Sequence, residues 1–224
     1  MGTGRLATGI AALDTLLGGG VEVDAVTELF GEAGSGKTLL CLELAVRVAR
    51  SDRWVLYIDT EGVSVDRLEA MAGAELPKLL ERILLATPKG LAEQDRAVAT
   101  ATALARSGER PVGLIVVDSA TFYYRLTLAE NAEDEGRQSL AEELAQLVAT
   151  ALGSEVPVVV TNQVWRNPRT GTLEPLGGSY VNHAAKAILR LERLDGARRR
   201  AVLEKHRSQP EGSCEFTITP TGLR

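Results

Sequence analysis

Gly31-Glu32-Ala33-Gly34-Ser35-Gly36-Lys37-Thr38 combines small residues, a lysine and a hydroxyl at fixed spacing. The pattern G-x-x-x-x-G-K-[ST] suits the phosphates of a nucleotide. Small residues let the backbone wrap an anion with its N–H groups turned inward, and a helix starting there adds a favourable dipole. Gly31 to Leu39 is therefore the candidate nucleotide-binding segment. Lys37 is expected to reach the β- and γ-phosphates, and the Thr38 hydroxyl to hold Mg²⁺.

Two further stretches carry acids where a buried strand would end. LIVVD places Asp118 after four aliphatic residues, and a carboxylate there is costly unless it binds something. It is the natural partner for Mg²⁺ and its water. YIDTEG supplies Asp59, which suits a turn cap, and Glu61, which suits a general base orienting an attacking water.

The elements that must position these residues follow from hydropathy patterning. Apolar runs at 25–30, 54–59, 82–87, 112–118 and 156–164 read as strands buried on both faces. Helical patterns at 38–50, 66–75, 91–106 and 138–152 fall between them. This alternation predicts an α/β fold with a mostly parallel central sheet flanked by helices. After residue 184 the pattern shifts to short alternating segments, with turn signals at Asp195-Gly196 and Pro210-Glu211-Gly212. These predict a C-terminal antiparallel extension. The expected organisation is one domain over residues 1–224.

The net charge of −5 over 224 residues does not advertise nucleic acid or membrane. No apolar run approaches the length of a membrane span and no signal core begins the chain, so a cytoplasmic location is expected. Cys41 and Cys214 fit neither a zinc pattern nor a CxxC pair and are expected to be reduced thiols. The charge is uneven: Lys186 to Arg207 holds eight Lys/Arg against three acids.

Taken in order, these motifs resemble the RecA-type recombinase family, in its archaeal and eukaryotic RadA branch. The stretches that carry the resemblance are LATGIAALDTLLGGGVE, FGEAGSGKT, YIDTEG, LIVVDSAT, VVVTNQV and LGGSYVNHAAKAILRLER. The resemblance implies a RecA-like P-loop NTPase core binding ATP and Mg²⁺. It implies that Glu61 is the catalytic glutamate, assisted by Lys37, and that Gln163 senses the γ-phosphate and couples it to a second DNA loop. Arg67 would pack on the adenine, and His183 would lie near nucleotide at a subunit boundary. The chain departs from the branch by having only a few residues before LATG, where a helical DNA-binding domain and a linker with a Phe-x-x-Ala polymerisation motif would stand. Its first DNA loop, LTLAENAEDEG, is acidic. These departures, with the ending LEKHRSQPEG, are similar to a shortened paralogue within the family. They imply a weak ATPase, open to modulation by DNA, that assists a RadA-type recombinase and other repair proteins as a monomer or small homo-oligomer.

For DNA, single strands most of all, a groove needs basic residues beside stacking aromatics. Arg125, Trp165, Arg166, Arg169, Arg198, Arg199, Arg200, Lys205, His206 and Arg207 supply those types in the two loops and the basic end. Two other readings stay open. One is a nucleotide-dependent conformational switch that binds a partner without acting on DNA, and the other is a KaiC-like regulatory ATPase with the same core.

Overall fold

The computed structural model describes residues 4–130, 132–167, 169 and 171–224. In chain order the elements are β1 (Arg5–Leu6), α1 (Ala11–Leu16), β2 (Val21–Glu22), β3 (Val26–Phe30), α2 (Lys37–Arg50), β4 (Trp54–Asp59), α3 (Val65–Ala72), α4 (Leu76–Leu80) and β5 (Ile83–Ala86). There follow α5 (Leu91–Ser107), β6 (Val112–Asp118), α6 (Phe122–Ala129), α7 (Glu133–Ser154), β7 (Val158–Asn162), β8 (Val164–Arg166), β9 (Leu173–Pro175) and α8 (Ser179–Ala184). The chain ends with β10 (Ala185–Arg193), β11 (Arg198–His206), β12 (Gly212–Thr219) and β13 (Gly222–Leu223).

Nine strands form one sheet in the order β13-β12-β11-β10-β3-β7-β6-β4-β5. From β10 to β5 the neighbours are parallel; from β10 to β13 they are antiparallel. Every residue of β3, β6 and β7 is buried, as parallel strands covered on both faces require. The strands divide their side chains by alternation. Leu114, Val116 and Val159 pack with α1 and α2, while Ile115, Val117, Val158 and Val160 pack with α5, α6 and α7. The parallel core and the antiparallel extension are those read from the sequence.

Four local expectations change. β5 lies at the sheet edge with Leu84 40% and Leu85 53% exposed, so it is not buried on both faces. The helix expected over 66–75 stops at Ala72, because Gly73 takes φ +56°, and α4 follows. The run 156–164 is interrupted at Gln163, whose amide donates to the Thr121 hydroxyl (3.2 Å) instead of continuing a strand. The acidic first loop is mostly helix. Glu133, Asp134 and Glu135 occupy the first turn of α7, where the helix dipole favours carboxylates. Asn131 of that loop, and Pro168 and Thr170 of the second, lie outside the described residues. Both cysteines are free thiols, as expected. Among the described residues no helix is long and apolar enough to cross a membrane.

Candidate nucleotide and nucleic-acid site

The loop from Gly31 to Gly36 joins the carboxyl end of the central strand β3 to the start of α2. Its path requires glycine. Gly36 caps α2 at φ +104°, and a Cβ on Gly31 would sit 2.2 Å from the Leu191 carbonyl oxygen. The first N–H groups of α2 have no helical acceptor, which leaves them for an anion. Lys37 Nζ donates to the carbonyls of Gly31 (2.8 Å) and Glu32 (3.2 Å), folding back over the loop. Burial lowers the Lys37 pKa, and the carboxylates of Glu61 and Asp118 oppose that shift.

Asp118 closes the far side. It is 2% exposed and accepts from Thr161 Oγ1 (2.5 Å) and Tyr57 OH (2.9 Å). Burial raises its pKa, and the hydroxyls of Thr161, Thr38 and Tyr57 hold the rise in check. A buried carboxylate facing the Thr38 hydroxyl of the P-loop fits Mg²⁺. That ion takes few protein ligands and fills its shell with phosphate and water. Among the described residues there is no cluster of three or more His, Cys, Asp or Glu side chains that would hold a metal by itself.

Glu61 follows β4. Asp59 is the turn cap, accepting from the amides of Glu61 (3.2 Å), Gly62 (2.8 Å) and Val63 (2.6 Å). This leaves Glu61 free to face the loop. A cavity of about 290 Å³ is lined by Ala33, Gly34, Gly36, Lys37, Thr38, Leu39, Leu42, Glu61, Ser64, Arg67 and Ile218. Arg67 is fixed by the carbonyls of Thr219 (3.0 Å) and Pro220 (2.9 Å), which leaves its guanidinium as a platform at the cavity wall. Ser35 is buried beneath, its hydroxyl unpaired among the described residues. Gly31 and Glu32 line a separate cleft of about 520 Å³ with Arg166, Leu173, Arg190 and Arg193. His183 lies elsewhere, exposed on α8.

Gln163 ties this cavity to the rest of the molecule. Its Nε2 donates to Glu61 Oε1 (2.7 Å), although the two are far apart in sequence. Gln163 also stands at the root of the β8–β9 hairpin, where its carbonyl accepts from the Leu176 amide (2.9 Å). Behind it, Asn162 is fully buried. Its Nδ2 donates to Glu28 Oε1 (2.7 Å) and to the Leu176 carbonyl (2.7 Å), and its Oδ1 accepts from Thr121 (2.7 Å). Burial pushes Glu28 up to about 7, with the Asn162 bond pulling the other way. One amide thus joins the start of α6, both roots of the hairpin and the central strand. Only a polar pair at the end of the apolar run VVVTNQV hinted at this in the sequence.

The candidate DNA residues separate into two groups. Trp165 is 43% exposed on the hairpin, and Arg166 and Arg169 are exposed beside it. Arg166 donates to the Gly171 carbonyl (2.7 Å), and Arg125 is exposed on α6 over the Phe122 ring. The basic end is different, because its cations have partners within the chain. Arg198 pairs with Asp195 and Glu215, Arg200 with Glu192 and Glu215, and Arg207 with Asp24 and the buried Glu22. Lys205 Nζ donates to the Asn182 carbonyl (2.5 Å). His206 Nδ1 accepts from two backbone amides, and burial lowers its pKa. Arg199 is 8% exposed and turned inward, so its guanidinium is not free for a phosphodiester.

The Rad51 family model matches residues 3–224. The chain is 44% identical to the DNA repair and recombination protein RadB of Methanoculleus marisnigri, covering 100% of this chain and 99% of that one. It is 41% identical to RadB of Methanococcoides burtonii (98% and 97% covered) and 37% to RadB of Thermoplasma acidophilum (99% and 95%). With the P-loop, Asp118 and the Glu61–Gln163 contact arranged as described, the chain belongs to the Rad51 family, in its archaeal RadB branch.

Proposed function

We propose that this chain is an accessory ATPase of DNA repair and homologous recombination. In this reading the P-loop binds ATP, the hairpin binds single-stranded DNA, and Gln163 passes the state of one to the other. The observation that carries it is the 2.7 Å bond from Gln163 Nε2 to Glu61 Oε1, made by the residue that roots the hairpin. Glu61 would orient the attacking water and accept its proton. Lys37 would leave the Gly31 and Glu32 carbonyls for the phosphates. Thr38 and Asp118 would hold Mg²⁺, which when bound supplies positive charge to the phosphates. The names of the RadB relatives support the recombination role.

The exposed Trp165, Arg166 and Arg169 support the hairpin as the DNA surface, with the ion-paired extension contributing little. Replacing both Arg166 and Arg169 by Glu should flatten the log–log salt dependence of single-strand affinity by roughly 1.4, at about 0.7 per phosphate contact. An unchanged slope in a titration from low to high salt would remove the hairpin from the interface.

A RadA-type recombinase is the proposed protein partner, with the chain itself a monomer or small homo-oligomer. Supporting this is the open edge of β5. Beside it lies a groove of about 280 Å³ lined by Leu56, Ile58, Leu84, Leu85, Ala97 and Leu104, among others. An extended segment can add to such an edge while placing an apolar side chain in the groove. Leu84→Asp should then lower affinity for an archaeal RadA at least tenfold by calorimetry, roughly one buried leucine contact. Retained affinity would place the partner elsewhere.

A second reading is a switch in which ATP occupancy alone controls a partner. The intramolecular pairing of Arg198, Arg200 and Arg207 favours it, because it withdraws most of the basic end from DNA.

A further inference from the structure

The C-terminal extension forms the back of the P-loop. A Cβ on Gly31 would strike the Leu191 carbonyl, Gly34 lies beside Arg193, and Gly36 faces Phe216 and Ile218. Into this contact β11 inserts Arg199. Its Nε donates to the Gly34 carbonyl (3.0 Å), and its Nη1 to the carbonyls of Arg198 (2.7 Å) and Gly196 (3.1 Å). Its neighbours Arg198 and Arg200 each have carboxylate partners. Arg199 has none among the described residues, although it is 8% exposed. A guanidinium this buried without an anion is costly. The unit it touches is the Gly34–Ser35 peptide, in the middle of the phosphate loop.

We propose that Arg199 is a positioning residue of the nucleotide site, acting through the Gly34–Ser35 peptide on the phosphate. Its donation fixes the Gly34 carbonyl away from the cavity. It also polarises the peptide, whose Ser35 N–H donates to the Glu32 carbonyl (3.1 Å) in this structure; a phosphate that displaces that carbonyl then meets a stronger donor, as happens along chains of hydrogen bonds in a low dielectric. A bound triphosphate supplies the negative charge that the buried guanidinium lacks. The extension thereby belongs to the nucleotide site, which adds to the proposed function and rests on the P-loop being a phosphate site.

The test uses the full chain and a fluorescent ATP analogue, displaced by ATP, by inorganic tripolyphosphate and by adenosine. Lys37→Ala serves as the control: if it binds tripolyphosphate like wild type, the phosphate reading itself fails, whatever Arg199 does. With that control in place, Arg199→Met should weaken ATP and tripolyphosphate roughly tenfold, the scale of one charge-assisted hydrogen bond, and leave adenosine unchanged. A folded Arg199→Met that binds tripolyphosphate within twofold of wild type overturns the proposal. So does an equal loss for adenosine, which would mean a merely deformed cavity. If Arg199→Met does not fold, Arg199→Lys decides through its pH profile. A buried ammonium loses its proton at lower pH than an exposed one, whereas a guanidinium keeps it. Tripolyphosphate affinity should then fall more steeply between about pH 8 and 10 in the Lys variant than in wild type. Superimposable profiles would overturn the proposal.

Discussion

Glu61→Gln is expected to lower ATP turnover by about 10²–10⁴-fold while leaving ATP affinity within a few-fold of wild type. Glu61 lines the cavity beside Lys37 and Thr38, and its Oε1 is held by the Gln163 amide. Asp59 is occupied by the three backbone amides of its own turn. Asp118 is engaged by the Tyr57 and Thr161 hydroxyls. Glutamine keeps the volume and an acceptor for Gln163 but cannot take a proton from water. Phosphate release measured alongside nucleotide binding separates the two quantities. Turnover undiminished in the variant would mean that another group activates the water. Absence of turnover in wild type, with tight ATP binding, would favour the occupancy switch.

Lys37→Ala should cost ATP affinity on the order of 100-fold, because it removes the ammonium poised over the loop. The chain itself should survive the change. In the free protein this ammonium rests on two carbonyls, and burial holds its pKa below the usual 10.5. The sign follows: a base whose folded pKa is depressed opposes folding while it carries its proton. Calorimetric melting of the ligand-free variant should therefore fall at or above the wild-type temperature. A variant that binds ATP normally would dismiss the phosphate assignment. One that melts far lower would show that Lys37 is structural.

The parallel core was legible because covered strands need nearly continuous apolar runs, and β6 carries seven buried residues in a row. The P-loop, Asp118 and Glu61 were legible because each sits at a strand end, where local spacing fixes position. What escaped depends on pairing between distant segments. Ile218 enters the cavity only because β12 joins the extension. The charged end looked available for DNA because its carboxylate partners, Glu22, Asp24 and Glu215, come from other elements. One part of that pattern was readable in principle. A strand alternates its faces, so Arg199 had to point opposite to Arg198 and Arg200, and only the second pair was placed to share a face with Glu192 and Glu215. The acidic first loop misled for a similar reason, since its carboxylates belong to the first turn of a long helix.

The central claim is that the nucleotide cavity and the hairpin communicate through Gln163. The most direct measurement is the affinity of the wild-type chain for single-stranded DNA at physiological salt, with and without ATP and Mg²⁺, repeated for Gln163→Ala. The account predicts at least a fivefold change on adding ATP, within the usual range of coupling between sites, and its disappearance in the variant. Equal affinity with and without ATP in the wild type, or an undiminished ATP effect in Gln163→Ala, would contradict it.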